Sequence, residues 1–431
     1  MESPLVRGGL TLAGGILVGN VIGFLRVVLT AYLLGTHSRA DSLAVAMGPM
    51  DTVNSVLINS MLFAFVPMLT GRSGAHRAAL LLKLRRSFFW VFAALTVSII
   101  VAAPWLMRIL APGLDPEALH ASVNILRILA LSTTAAGLAA LYWALLYTDR
   151  RFAPTAFYQA GLNLCVVVAA LTLWKWAGVY AFALGYSAGA CLQLAIVSWV
   201  GRSALKITPL PVCDLHWTEI FSKPAFFLIY AAGLGLNLAF TRAWATHAGS
   251  GMAAALEYCM RGVGVPLALL VQPIANSLLP EIARLRSLSL LREAVRLIAR
   301  TVALVALVAV AGCGFALLFR HPAIALLFQR GSFTADSTEL VSAVFLGLAP
   351  SLIGWSLIEI LSRSLFALDH RWPPVLVAFI PVLVNLTVTL RFGFSQPHWI
   401  GAGASIGTLA GFLVLLVLTL ANRKRWLKQP A

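Results

Sequence analysis

The chain has 431 residues, of which 60% are hydrophobic and only 11% are charged, whereas about 25% of the residues of an average soluble domain are charged. A soluble core cannot bury that much apolar surface, so the composition excludes an ordinary globular protein and indicates a membrane protein. The net charge of +17 would suit nucleic acid, anionic lipid or an acidic substrate. The positions of the charges decide among these partners.

Long apolar runs, bounded by Pro, Gly or charged clusters, predict an all-α polytopic protein with about twelve transmembrane helices. The runs are too long and too uniformly apolar for the strands of a membrane barrel. In chain order, the predicted spans are 10–35, 43–69, 87–111, 120–147, 153–174, 177–200, 219–246, 252–278, 294–319, 338–367, 373–390 and 399–421.

Lysine and arginine concentrate in alternate loops. If the N-terminus is cytoplasmic, most basic residues lie inside, including the cluster at 284–300. The outer loops then hold Arg39, Lys175, Arg320, Arg330 and Arg391. The positive-inside rule therefore predicts a bacterial-type inner-membrane protein with both termini cytoplasmic. This topology and contacts with lipid headgroups account for the basic charge, which leaves no role for nucleic acid.

The two halves of the chain resemble each other at a shift of about 220 residues. Residues 149–154 (DRRFAP) align with 369–374 (DHRWPP), and Asn163 aligns with Asn385. Several matches in one order indicate a six-helix unit that occurs twice. An even number of spans keeps both copies in the same orientation.

The duplication extends to charged residues, since Arg26 precedes Asp41 by the same interval at which Arg242 precedes Glu257. It predicts two parallel six-helix bundles around a central cavity, which would work by alternating access. The predicted parts are an N-terminal bundle (1–201), a cytoplasmic linker (202–217), a C-terminal bundle (218–421) and a basic cytoplasmic tail (422–431).

Charged residues inside apolar spans are candidates for a binding site, because a charge at a helix centre costs roughly 2.5 to 3.5 kcal/mol. Arg26 lies well inside the first span, and Asp51, Asn54, Ser55 and Asn59 recur on one face of the second. These residues are predicted to line one hydrated cavity. The alternative is a structural ion pair of Arg26 and Asp51 that joins two helices.

Two acidic residues precede an arginine by four residues, Glu257 before Arg261 and Glu359 before Arg363, which predicts intrahelical ion pairs. Such pairs either bind substrate or have only the structural role of lowering the cost of membrane insertion. The structural role is favoured for Glu359 and Arg363. Arg242 lies near the outer end of its span, where it would contact headgroups. Its repeat relation to Arg26 keeps it a candidate.

No motif predicts an enzyme. The histidines lie mostly in loops or at helix ends and form neither an HExxH motif nor a Ser/His/Asp set, and the chain has no GxxxxGK[ST] loop. We therefore expect no catalytic residues, no metal and no cofactor. The energy source is left open among a coupling cation (sodium or a proton), the membrane potential and the substrate gradient.

Several short segments carry a family resemblance. They are residues 21–26 (VIGFLR), 34–35 (LG), 41–46 (DSLAVA), 63–67 (FAFVP), 258–261 (YCMR), 265–266 (VP), 278–280 (LLP) and 327–334 (LFQRGSFT). In this order, over nearly the whole chain, they resemble the MurJ/MviN lipid II flippase family of the MOP exporter superfamily.

The resemblance implies a flippase that moves a polyprenyl-diphosphate-linked saccharide from the cytoplasmic to the outer leaflet. The substrate would be lipid II or a related cell-envelope or exopolysaccharide precursor. Arg26 and Arg261 match the family's cavity arginines, and Asp41 matches an acidic residue near the outer gate. Guanidinium groups suit this role because they bind phosphate bidentately and stay charged in a partly dry cavity.

The candidate residues fall into three groups. Substrate binding is assigned to Arg26, Arg261, Arg242, Asn20 and Asn54. Gating or ion coupling is assigned to Asp41, Asp51 and Glu257. The pair of Glu359 and Arg363 ranks below these.

The sequence also departs from the family. Asn20 stands where the family has an additional arginine, Val27 replaces an acidic residue, and residues 51–62 replace a basic and Gly-Ala-Phe segment. The chain ends after about twelve spans, without the two additional helices that form a lipid-tail groove in the family. The expected cavity is less basic and richer in amides, which would suit another lipid-linked glycan.

Two other functions stay open. A MATE-type antiporter that exports organic cations or drugs would use Asp51 and Asn54 as an unpaired cation site. A transport-inactive scaffold would instead partner glycan-synthesis enzymes, and the loss of several family charges is the reason to consider it.

Overall fold

The computed structural model describes most of the chain, and every regular element in the described part is a helix. The described residues are 4–70, 74–149, 151, 153–202, 225–267, 271–288, 290–368, 370–392 and 396–426. Most of the predicted linker (203–217) and the end of the predicted tail (427–431) lie outside them.

The chain forms two compact units. Unit 1 consists of Met1–Leu34, Ser38–Ile109 and Leu114–Leu228, and unit 2 of Gly35–His37, Leu110–Gly113 and Ile229–Ala431. The predicted bundle boundaries and the central cavity stay predictions.

Unit 1 is built around one deeply buried helix, α4, which packs along α2 and α7. Its core includes Phe65, Phe88, Phe92 and Trp143, all nearly inaccessible to solvent. The helices are α1 (Pro4–Leu34), α2 (Ser38–Thr70), α3 (Gly74–Leu110), α4 (Pro116–Thr148), α5 (Ala153–Ala156), α6 (Tyr158–Ala177) and α7 (Tyr180–Gly201).

The helices of unit 2 are α8 (Ala225–Ala245), α9 (Met252–Pro266), α10 (Gln272–Ser287), α11 (Leu291–Leu318), α12 (Arg320–Phe328), α13 (Ala335–Leu348), α14 (Ser351–Ala367), α15 (Trp372–Val377), α16 (Ile380–Phe392) and α17 (His398–Trp426). A 3₁₀ turn, Thr246–Ala248, follows α8. The core lies where α14 meets α10, α11 and α17 and includes Ile282, Leu361 and Leu415.

The helix order of unit 2 repeats that of unit 1, and the central helix differs between the two units. α4 is continuous over 33 residues, whereas its counterpart, at the shift of about 220 residues, consists of α13 and α14, which are bent by 42°. Pro350 lies at the break. Proline lacks the backbone N–H and clashes with the preceding turn, which explains the bend.

In each unit, a buried asparagine joins two helices at equivalent positions of the repeat. In unit 1, the Nδ2 of Asn163 on α6 donates to the carbonyl of Gly19 on α1 at 3.2 Å. In unit 2, the Nδ2 of Asn385 on α16 donates to the Oδ1 of Asn237 (2.9 Å) and the Oγ1 of Thr241 (2.7 Å) on α8. These asparagines are the pair aligned by sequence, so the contacts support the duplication.

Eight described helices are long and apolar enough to cross a membrane, and the bent pair of α13 and α14 makes a ninth span. The prediction of an all-α polytopic membrane protein is confirmed. The three other predicted spans coincide with α2, α8 and the pair of α9 and α10. The run predicted as one span over 252–278 corresponds to α9, which ends at Pro266, and α10, which begins at Gln272, and residues 268–270 between them lie outside the described part.

Candidate functional site

Arg26 lies within α1 and is only 6% exposed. Its Nη2 is 3.9 Å from the Oδ2 of Asp51 on α2, so the ion pair weighed as an alternative is present. The side chain of Asp51 is one-third exposed. The carboxylate therefore stays accessible while the guanidinium is enclosed.

Asn54 lies on α2 three residues after Asp51 and is buried. Its Nδ2 donates to the Oγ of Ser132 on α4 (2.9 Å) and lies 3.5 Å from the hydroxyl of Tyr186 on α7. Its Oδ1 is buried and accepts no hydrogen bond within the described residues. The predicted polar face of α2 thus meets polar groups of α4 and α7.

Two other residues belong to the predicted polar stripe. Ser55 is exposed, and the side chain of Asn59 lies outside the described residues. Asn20, six residues before Arg26 on α1, is partly buried. Asp41 is buried in the first turn of α2.

In unit 2, one carboxylate bridges two arginines. The Oε2 of Glu257 accepts hydrogen bonds from the Nη2 (2.9 Å) and the Nε (3.2 Å) of Arg242. The Oε1 of Glu257 is 3.5 Å from the Nη2 of Arg261, one turn further along α9. The predicted pair of Glu257 and Arg261 is confirmed, and Arg242 is an additional partner.

The expectation that Arg242 contacts lipid headgroups is wrong. Arg242 is 7% exposed and its guanidinium is held against Glu257. A buried arginine requires an anionic partner, because desolvation of an isolated charge is costly. The related feature of the sequence is the spacing of the charged residues: Arg242 precedes Glu257 by fifteen residues, as Arg26 precedes Asp41.

The predicted pair of Glu359 and Arg363 also forms, within α14. It contains one acidic and one basic group, so it carries no net charge. This arrangement fits the structural role favoured for the pair from the sequence.

Sequence reasoning missed Ser132 and Tyr186, which meet Asn54 from α4 and α7. Serine and tyrosine are common in apolar helices, and the sequence alone did not indicate which of them face α2. The missed contacts depend on the packing of three helices.

The fold of the chain is that of solved MOP-superfamily transporters. A MOP superfamily transporter from Pyrococcus furiosus aligns with a TM-score of 0.72 at 11% identity, over 100% of this chain and 98% of its own. An outward-facing multidrug MATE transporter aligns with a TM-score of 0.71 at 11% identity, over 99% and 98% of the two chains.

Within that class, the chain belongs to the lipid II flippase MurJ family, whose model matches residues 30–431. The probable lipid II flippase of Rhizobium meliloti (strain 1021) is 27% identical, over 98% of this chain and 82% of that protein. The lipid II flippase of Burkholderia cenocepacia is 26% identical, over 99% and 85%.

A solved lipid II flippase, in an inward closed conformation, aligns with a TM-score of 0.83 at 18% identity, over 95% of this chain and 87% of its own. The family resemblance read from the sequence is confirmed. The chain is a multi-pass membrane transporter of a flippase family and not an enzyme.

Proposed function

We propose that this protein moves lipid II, or a closely related polyprenyl-diphosphate-linked saccharide, from the cytoplasmic to the outer leaflet of the inner membrane. Membership of the lipid II flippase family supports the reaction. The proposal adds that the diphosphate is recognised by arginines within the apolar helices, and that both termini are cytoplasmic.

The observation that carries the proposal is the burial of one arginine in each unit. Arg26 and Arg242 are 6% and 7% exposed, in helices that are predominantly apolar. Such charges are costly in a membrane and mark functional sites by default. With Arg261 they offer guanidinium groups, which bind phosphate oxygens bidentately.

Translocation of lipid II in reconstituted vesicles tests the role of Arg26. The wild-type protein is expected to flip the lipid, and Arg26→Ala is expected to abolish flipping while insertion stays intact. Arg127→Ala is the matched control, because Arg127 is an exposed arginine on α4. Unimpaired flipping by Arg26→Ala rejects the role.

A double variant separates substrate binding from neutralisation of Asp51. If Arg26 only neutralised Asp51, then Arg26→Ala combined with Asp51→Asn would restore flipping, because no unpaired charge would remain. If Arg26 binds the diphosphate, the double variant stays inactive. The inactive outcome is the one we expect.

The antiporter alternative requires Asp51 and Asn54 as an unpaired cation site. Asp51 lies beside the guanidinium of Arg26, and a positive charge next to the carboxylate does not favour a bound cation. Robust sodium- or proton-coupled dye efflux from vesicles would overturn this ranking.

Partnership with glycan-synthesis enzymes is compatible with flipping and is tested by co-purification.

Asp41 is proposed as the gate residue near the outer surface, in line with its place at the start of α2. Asp41→Asn removes the charge and keeps the shape, so it should slow flipping without loss of diphosphate binding. The two readouts are the vesicle translocation rate and the affinity for pyrophosphate in detergent. An unchanged translocation rate contradicts the gate role.

A further inference from the structure

An apolar crevice lies within unit 2, between α11, α9 and the bent pair of α13 and α14. Its volume is about 60 Å³, whereas about 10 to 15 Å³ is enough to hold one water molecule. The wall from α11 consists of residues at spacings of one or three, which share one helix face: Val308, Ala309, Gly312, Cys313 and Ala316. Three of these are glycine or alanine, so this face of α11 is indented.

The other walls come from helices that break or bend beside the crevice. α9 contributes its last turn, including Gly262, and ends at Pro266. Phe345 on α13 and Leu352 on α14 lie on either side of the bend of 42° at Pro350. Because these helices change direction here, they do not pack along the indented face of α11.

The chemistry of the walls excludes a polar ligand. Ser356 and Cys313 are the polar side chains among the described lining residues. The hydroxyl of Ser356 donates to the carbonyl of Leu352 at 2.6 Å, and a thiol is a weak donor. Apolar cavities of proteins stay dry and accept apolar ligands. The crevice therefore fits a hydrocarbon group.

The crevice opens on the surface of α11 that faces the membrane. α11 is one of the helices long and apolar enough to cross a membrane, and Leu307 and Phe315 on it are exposed. Gly312 and Gly262, on facing walls of the crevice, are exposed as well. The crevice is thus continuous with the lipid-facing surface of the span, where the surrounding molecules are lipid chains.

The attraction for a chain comes from close packing. Burial from hydrocarbon into protein brings no hydrophobic gain, so association in a membrane depends on van der Waals contact. Atoms that line an unfilled void lose those contacts. At Gly312, no atom lies within 4 Å of the position that a Cβ would have, so a chain can approach the backbone of α11 directly.

We propose that this crevice binds one acyl chain of a bilayer phospholipid, which packs between α11, α9 and the bend at Pro350. The chain takes the place of the large side chains that α11 lacks at Ala309, Gly312 and Ala316. It contacts both arms of the bent pair and stabilises this part of unit 2. The proposal does not depend on the proposed function, since its ligand is the surrounding bilayer.

Photo-cross-linking tests the proposal. The vesicles contain phosphatidylethanolamine and phosphatidylglycerol, with a trace of phosphatidylcholine that carries a diazirine on one acyl chain. Adducts are mapped by mass spectrometry at the crevice and at Leu307. Gly312→Leu should lower cross-linking at the crevice roughly tenfold, because its side chain displaces about ten carbon contacts of the lipid. Adducts at Leu307 should not change.

Gly314→Leu is the matched control. It adds the same side chain to α11 two residues further along, where a Cβ also has no atom within 4 Å, and Gly314 does not line the crevice. Cross-linking at the crevice should stay at the wild-type level. Wild-type cross-linking at the crevice in Gly312→Leu would overturn the proposal, and so would an equal loss in Gly314→Leu.

Competition decides which lipid supplies the chain. Unlabelled polyprenyl phosphate, added at the mole fraction of the labelled phosphatidylcholine, should leave cross-linking at the crevice unchanged. Its loss would overturn the proposal and assign the crevice to the prenyl chain of a substrate.

Thermal unfolding in detergent gives a second readout. Added phosphatidylglycerol should raise the midpoint of the wild-type protein and of Gly314→Leu more than that of Gly312→Leu, because a ligand that binds only the folded state stabilises it. An equal rise in all three proteins would contradict the proposal.

Discussion

At the residue scale, amides as well as charges join the helices. Asn385 is completely buried and donates to both Asn237 and Thr241 on α8. Its Oδ1 also accepts from Thr389, one turn along α16. Polar contacts of this kind join helices in a membrane, where association gains little from hydrophobic burial.

Asn385→Leu should destabilise unit 2, because it leaves the partners on α8 without their donor. Interhelical polar contacts in membranes contribute about 0.6 to 1.7 kcal/mol each. A lower midpoint of thermal unfolding in detergent is the expected result. Asn163→Leu, which removes the hydrogen bond from Asn163 to the carbonyl of Gly19 in unit 1, should lower the midpoint less, and the reverse order would contradict the prediction.

At the element scale, α4 has a well-formed N-terminal cap. Asp115 is the cap residue, and its Oδ1 accepts from the backbone N–H of Ala118 at 2.7 Å. Its Oδ2 accepts from the hydroxyl of Ser38, the first residue of α2. Proline at the next position suits the first turn, where no intrahelical donor is needed.

Asp115→Ala should cost about 1 kcal/mol of stability at neutral pH, as is typical for the loss of a cap. The hydrogen bond from Ser38, followed by that from Ala118, lowers the pKa of Asp115 from its usual 3.8. Because the pKa is lowered on folding, the contribution is fully present above pH 3.8 and is lost as the pH falls through the lower folded value. The stability difference between wild type and Asp115→Ala should therefore shrink in acid, and a difference that grows would contradict it.

The elements that sequence predicted best are those with a uniform apolar run, such as α11 and α17, whose ends lie within a few residues of the predicted spans. Arg242 was expected near the headgroups because it lies close to the outer end of its span, whereas it contacts Glu257 on another helix. Such pairing depends on helix packing, which periodicity does not encode.

At the scale of the whole molecule, the two units share helix order and a buried asparagine. Their charged groups differ. Unit 1 pairs Arg26 with Asp51, whereas unit 2 places Glu257 between two arginines. The repeat and the pairs of Arg26 with Asp51 and of Glu257 with Arg261 were visible in the sequence, whereas the contact of Arg242 with Glu257 was not.

The charge asymmetry predicts that both termini are cytoplasmic. In a chain whose own cysteines are replaced, a cysteine at Arg292, at the start of α11, should react with a membrane-impermeant reagent only from the cytoplasmic side. A cysteine at Arg330, after α12, should react only from outside. Opposite labelling of the two positions would invert the proposed topology.

The central claim is that arginines within apolar helices recognise the diphosphate of a lipid. The most direct measurement is the affinity of the purified protein for a polyprenyl diphosphate, compared among wild type, Arg26→Ala, Arg261→Ala and the exposed control Arg127→Ala. We expect each of the first two variants to bind at least about tenfold more weakly, because a charge-assisted contact is lost, and the control to bind as wild type does. Equal affinity in all four proteins would contradict the account.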